Sequence, residues 1–286
     1  MTAWPTLRLQ YRILNVFATG AEFSGNPLCV FEDGSALGTD QMQALARQFN
    51  LSETTFILPS ETASASVRIF TPAYEMPFAG HPTLGTAFAV NELKGLAGKV
   101  QLQMAAGTIP VDSPETGVWR LTANRPRWRE FSSPMADLAA ALSLTVEEIA
   151  DPVLWVDSGN EQLLLPVNSE AAVLRAAPQA DKLSHFGPTF KTLVFFRKGD
   201  FVRARFFFRQ LTGFSEDPAT GSACANLGGW FLATKLGLPF SCTVSQGTEI
   251  GRPSELRLAI DASETITVAG IVREIGRGYV DVNTRA

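Results

Sequence analysis

EMPFAGHPTLGTAFAVNEL (residues 75–93) and EDPATGSACANLGGWFLATKLG (residues 216–237) decide the fold, because each repeats the other. Glu75, Pro77 and Gly80 recur as Glu216, Pro218 and Gly221, and the next residue, His81 or Ser222, carries hydrogen-bonding atoms in both copies. Each stretch follows an apolar strand-like run (VRIF, 67–70; ARFFF, 204–208) and opens an apolar segment. Spaced about half a chain apart, they imply two homologous domains, each strand–loop–helix at this point. Both helices are apolar on nearly all sides, and such a helix is buried. The expected fold class is therefore α+β, with two similar domains, each a β-barrel-like sheet wrapped around a central buried α-helix. The glycine-containing helix starts bare backbone N–H groups, which with the helix dipole form an anion site. Two such starts facing one cleft would grip a small carboxylate-bearing substrate; otherwise they are simply two helix starts.

Working outward, 7–18 reads as a strand rich in Val, Ile, Phe and Tyr, FSGNP (23–27) as a turn, and LCVF (28–31) as another strand. Asp40 reads as an N-cap, with Met42, Leu45, Ala46 and Phe49 at helical spacing and Asn50 as the stop. SETTFIL (52–58) alternates, placing Glu53, Thr55 and Ile57 on one face. Pro82 suits the first turn of the helix after Gly80. The proline-interrupted stretch 114–134 reads as irregular and as a domain boundary. The domains are 1–120, completed by a strand at about 272–286, and 121–271. Beyond the boundary, 136–141, 146–150 and 170–176 read as helical. Strands are expected at 153–156, 162–167, 191–197 and 201–209. LTGFSEDPATGSA (211–223) reads as a loop opening a helix to about Leu236, and SQGTE, GRPS and IGRG (275–278) as turns in a β-rich tail.

The 286 residues are 45% hydrophobic and 18% charged, with a formal net charge of −4. At roughly 100–200 residues per domain this length suggests two domains. It suffices to bury a core without disulfides or structural metal. No basic block supports nucleic-acid or anionic-membrane binding. No run of about 18 apolar residues suggests a transmembrane helix. The amino terminus lacks a secretory pattern, so the expected compartment is the cytoplasm. Cys29, Cys224 and Cys242 show no CxxC spacing, and the only histidines are His81 and His185. A disulfide framework and a zinc site both lose support, and no metal is expected. No P-loop, dinucleotide fingerprint or GxSxG elbow is present, which argues against nucleotide cofactors and serine hydrolysis.

Glu53 begins an apolar strand, where its charged form is disfavoured and acid/base work becomes accessible, unless it is a solvated strand end. His81, at a helix start, would be a neutral proton donor or acceptor, or a capping histidine. Asp217 and Ser222 would anchor substrate, or cap the helix. Cys224 reads as core packing, and His185 as structural or exposed.

Taken together, SGNPLCVF (24–31), ARQFNLSETTF (46–56), RIFTPAYEMPFAGHPTLGTA (68–87), EDPATGSA (216–223) and QGTEIGRPS (246–254) resemble the PhzF-like phenazine biosynthesis family, within the diaminopimelate epimerase superfold. The resemblance covers nearly the whole chain, and its specificity lies in the ordered set. It implies two similar domains with the active site between them, a homodimer, and no cofactor. The phenazine enzyme isomerises trans-2,3-dihydro-3-hydroxyanthranilate by a glutamate proton shuttle. Carried over residue by residue, Glu53 is the shuttle, His81 and Asp217 are catalytic partners, and Ser222, Gly80 and Gly221 bind the substrate. Epimerases of the superfold place a cysteine before each glycine. Ala79 and Thr220 stand there, which excludes a two-thiol mechanism and leaves one-base proton transfer. The second-domain turn DSGNEQ (157–162) lacks the family proline, and Pro218 replaces the alanine of the phenazine enzyme. The expected function is a cofactor-independent isomerase of a small carboxylate. The alternatives are an inactive metabolite- or partner-binding protein of the same fold, or a lyase or hydratase. Retention of Glu53, His81, Asp217 and Ser222 together argues against mere binding, and product mass separates a lyase or hydratase from an isomerase.

Overall fold

The computed structural model describes residues 6–210 and 213–283. The fold is mixed α+β and dominated by strands. Its described residues divide into two compact units. One is drawn from Met1–Ala18, Asn26–Leu121 and Gly270–Ala286, the other from Thr19–Gly25 and Thr122–Ala269. Among the described residues no helix is long and apolar enough to cross a membrane.

In the first unit β1 (Thr6–Ala18) pairs antiparallel with β2 (Asn26–Phe31). α1 (Thr39–Phe49) carries the chain over so that β3 (Glu53–Leu58) runs parallel to β2. β4 (Ala65–Phe70) and the short β5 (Glu75–Met76) follow antiparallel. α2 (Gly80–Lys94) crosses back to bring β6 (Lys99–Met104) parallel to β4, and β7 (Gly107–Glu115) and β8 (Val118–Thr122) complete the run. α1 buries Met42, Leu45 and Ala46 along one face. It starts at Gly38, whose N–H reaches Gln41 Oε1 at 3.1 Å; Asp40, read as the cap, sits in the first turn. Asn50 ends the helix as expected, in the left-handed conformation with its N–H on the Ala46 carbonyl.

The second unit repeats this order of pairings. β9 (Arg127–Glu130) and α3 (Met135–Ala141) precede β10 (Leu154–Asp157), which pairs antiparallel with β9 and with β11 (Gln162–Pro166). α4 (Glu170–Arg175) and α5 (Ala180–Leu183) lead to β12 (Lys191–Lys198), parallel to β11. β13 (Phe201–Gln210) and β14 (Gly213–Asp217) follow antiparallel. α6 (Gly221–Ala233) brings β15 (Phe240–Gln246) parallel to β13. β16 (Ser254–Ile260) then pairs with the start of β17 (Ile266–Asn283), whose later residues pair with β1 in the first unit. The apolar core of the second unit gathers Leu138, Leu163, Leu165, Val173, Phe190 and Phe207 under α3, α4 and α5.

Several local expectations change. The stretch 114–134 holds β8 and β9, with Pro126 flanking a strand rather than interrupting one. Of the loop read at 211–223, Leu211 and Thr212 lie outside the described residues and Gly213–Asp217 is β14, paired to β13. IGRG is no turn: Gly276 and Gly278 lie inside β17 opposite Ile13 and Tyr11, so a sheet partner overrides the local glycine signal. Of 146–150 only a single 3-10 turn, Val146–Glu148, is helical.

The repeated glutamates have a structural task. Glu75 accepts two hydrogen bonds from Arg68, and Glu216 two from Arg205, each across its own hairpin. Arg205 also donates to the carbonyls of Leu174 and Ala176 at the end of α4, where a cation suits the helix dipole.

Candidate active site

Glu53 is the first residue of β3. Successive side chains alternate in a strand, so Glu53 and Thr55 leave on the same side. Thr55 meets Thr86 of α2, the two hydroxyls 2.8 Å apart and buried. Glu53 therefore comes up against the start of the same helix, and its Oε2 lies 3.4 Å from Nδ1 of His81. β3 does not alternate in burial: Thr54, Thr55, Phe56 and Ile57 are all buried, because α1 and α2 both pack against it. His81 is the second residue of α2 and is 6% exposed. Burial pushes its imidazole down to about 3, against an opposing interaction with the Pro27 backbone. The ring is thus neutral near pH 7, and its contact with Glu53 joins a carboxylate to a neutral imidazole. Nε2 is buried and has no hydrogen-bond partner among the described residues. The cap of α2 is Ala79, so His81 is not a capping histidine.

The start of α6 is organised differently. Its cap is Thr220, not Asp217 or Ser222. Two amides are oriented by backbone donors. The Ser158 N–H donates to Asn226 Oδ1 at 2.8 Å, so Asn226 Nδ2 must face its acceptors, the Asn160 carbonyl and Gln162 Oε1, each at 2.9 Å. Gln162 Nε2 then donates to Ser222 Oγ at 2.9 Å, leaving the Ser222 proton to point elsewhere. Likewise the Thr220 N–H donates to Gln246 Oε1, so Gln246 Nε2 faces the Asp217 carbonyl (2.7 Å) and Thr220 Oγ1 (3.1 Å). Thr220 in turn donates to Asp217 Oδ2 at 2.5 Å. Gln162, Asn226 and Gln246 are almost wholly buried, so these carriers are held rigidly.

Glu53, His81 and Gly80 thus come together in the first unit, and Asp217, Gly221 and Ser222 in the second. Sequence reading missed Thr220, Gln246, Gln162, Asn226 and Asn160. The legible signal was the repeated Ser-Gly-Asn of 24–26 and 158–160. Gly25 and Gly159 both have positive φ, 83° and 117°. The missing proline leaves the second turn intact because Asn226 holds its Ser158 N–H and Asp157 its Gly159 N–H. Burial raises all three thiols, Cys242 to about 12, and positions 79 and 220 hold Ala and Thr rather than Cys. Among the described residues no three His, Cys, Asp or Glu side chains gather as a metal site. A cavity of about 430 Å³ opens at the other end of α6, near Arg197, Trp230 and Phe231, and none of the site residues lines it.

The sequence model of the phenazine biosynthesis-like proteins matches residues 14–272. The chain belongs to this family. An uncharacterized isomerase from Pasteurella multocida is 37% identical over 275 residues, covering 95% of this chain and 94% of that protein. The trans-2,3-dihydro-3-hydroxyanthranilate isomerase of Pseudomonas aeruginosa is 35% identical over 254 residues, covering 86% and 88%. Among solved structures, the phenazine biosynthesis protein of the PhzF family from Bacillus anthracis superposes with a TM-score of 0.83 at 24% identity, covering 96% and 99% of the two chains. This family member is an isomerase, as its relatives are named.

Proposed function

We propose that the protein isomerises a small carboxylated substrate of the trans-2,3-dihydro-3-hydroxyanthranilate type by one-base proton transfer, without a cofactor. The observation that carries this reading is the 3.4 Å approach of Glu53 Oε2 to the neutral His81 ring at the start of α2. The Glu53 carboxylate removes a proton from a ring carbon, the electron pair left behind moves into the adjacent double bond, and the same proton returns at another carbon. No atom is gained or lost, so no water or redox partner enters. His81, buried with Nε2 unmatched, orients the substrate and the carboxylate. Buried groups lacking partners are few in folded proteins and call for an explanation such as this. Asp217, oriented by Thr220 and Gln246, holds a polar substituent of the substrate. Ser222 donates its free proton to the substrate carboxylate beside the amide of Gly221, and Gly80 is assigned to substrate binding as well. The absence of cysteine at 79 and 220 agrees with a single base. A sheet wrapped about a central helix is part of the same reading: α2 touches β1, β2, β3, β4, β6 and β7, and α6 touches β9, β10, β11 and β16.

The test is incubation with trans-2,3-dihydro-3-hydroxyanthranilate in D2O, beside Glu53→Gln. The expected result is a product of unchanged composition, apart from deuterium exchanged at the carbon that receives the proton, formed only when Glu53 is present. Turnover by a folded Glu53→Gln protein removes the glutamate mechanism, and a product differing by one water replaces isomerisation with a lyase or hydratase reaction.

A further inference from the structure

The two copies can be placed residue on residue. Counting from Gly25, the third residue is Leu28, which lies opposite Glu53 in the parallel β2–β3 pair. Counting from Gly159, the third residue is Gln162, one step before Leu163, which lies opposite Thr192 in the parallel β11–β12 pair. The residue corresponding to Glu53 is therefore Lys191. The helices agree with this placement. Gly85, sixth in α2, lies so close to Leu28 that a Cβ there would come within 2.5 Å of Leu28 Cδ2. Asn226, sixth in α6, bonds to Gln162, the counterpart of Leu28. His81 and Ser222 are the second residues of their helices, so Lys191 and Ser222 occupy the strand and helix positions that Glu53 and His81 occupy in the first unit.

Lys191 is also an unusual lysine. It is partly buried, and burial lowers its ammonium below the ordinary lysine value. Its ammonium donates to Asn160 Oδ1 at 2.7 Å, and no carboxylate among the described residues pairs with it. Asn160 ties it to the amide chain that runs through Asn226 and Gln162 to Ser222. A cation withdrawn from water without a counter-ion is costly, and such groups pair with an anion where one is available. One Lys191 N–H is engaged by Asn160, which leaves two donors.

We propose that Lys191 is a specificity-determining residue of this isomerase, whose ammonium, held in place by Asn160, is the counter-ion of the substrate carboxylate. The proposal rests on the reading of the reaction above. It makes the duplicated strand position do opposite work in the two copies, a base in one and a cation in the other.

The test is equilibrium binding of 2-aminobenzoate and of its uncharged carboxamide, 2-aminobenzamide, to the full chain at pH 7.5 by calorimetry. A charge-assisted contact predicts that the wild-type protein prefers the acid by about tenfold or more. In Lys191→Met and in Lys191→Gln, which keeps a hydrogen-bonding group for Asn160, the acid weakens by about tenfold while the amide holds within about threefold. Lys191→Arg keeps the preference. A wild-type protein that binds neither acid nor amide, or binds both alike, overturns the proposal, as do variants that weaken both ligands together, the mark of a structural role. Because the assay needs no turnover, its failure is separable from failure of the reaction. A lysine-dependent acid preference in a protein that does not isomerise the dihydro acid leaves Lys191 standing and removes that substrate.

Discussion

At the start of α2 the strand and helix positions hold Glu53 and His81, a carboxylate 3.4 Å from a neutral imidazole, whereas at the start of α6 the same positions hold Lys191 and Ser222. Near the start of α2 two buried hydroxyls, of Thr55 and Thr86, lie 2.8 Å apart. Around α6 the neighbours include amides, of which Asn226 and Gln246 are each oriented by a backbone N–H that can only donate, and Gln162 by Asn226. One duplicated backbone thus carries groups suited to moving a proton in one copy and groups suited to holding an anion in the other. The largest effect that tests this division is on turnover. Glu53→Gln should lower the rate by about 10²–10⁴-fold, the usual weight of a general acid/base, with circular dichroism unchanged. A loss below tenfold would mean that the start of α2 is not where the proton moves.

The same comparison can be drawn in stability. Arg205 and Glu216 are 12% and 7% exposed, Arg68 and Glu75 27% and 37%. Arg205→Met strands a nearly buried carboxylate and also strips the end of α4, so a loss of about 3 kcal/mol is expected in urea unfolding. Arg68→Met breaks the wetter copy and should cost about 1 kcal/mol or less. Equal losses would show that burial of the ion pair does not set its weight here.

Ser222→Ala sharpens the assignment of binding to the second copy. The hydroxyl accepts from Gln162 and has its own proton to give, so its loss should raise KM by about tenfold, the weight of one such hydrogen bond, with kcat within about threefold. A fall in kcat with KM unchanged would move Ser222 from holding the substrate to stabilising the transition state.

The repeat at 75–81 and 216–222 was legible because chemically special residues, Glu, Pro and Gly, fell at equal spacing on a background of apolar strand and helix. The reading of its glutamates stopped there, because nothing local reveals that Arg68 and Arg205 lie across a hairpin from them. Asn50 was legible as a helix stop because its left-handed conformation is a local property. Asp40 was misplaced by two residues because Gly38 and Gln41 close the helix start instead. Lys191 and the amide chain were invisible for a further reason. Their meaning depends on strand register between β11 and β12, and one sequence shows the Ser-Gly-Asn turn but not which residue a parallel partner sets opposite it. IGRG illustrates the converse, a strong local signal erased by the partner strand β1.

The smallest expected effect is none at all. His81 is held neutral by burial, at about 3 against an ordinary 6.5. Its depressed value sets the sign of the linkage. Above pH 6.5 the ring is neutral folded and unfolded, and its contribution to stability is fully present. As the pH falls from 6.5 toward 3 the unfolded chain takes up a proton that the folded ring refuses, so stability is lost over that window. In the native protein the Cε1–H resonance of His81, identified by its absence from His81→Asn, should not shift between pH 8 and pH 5. A midpoint inside that range would mean that the Glu53 carboxylate outweighs burial and that the start of α2 holds an ion pair. Proton transfer would then begin from a charged couple, with the imidazolium as a second acid, and the contrast with the cation at Lys191 would shrink to a difference in which side chain carries the positive charge.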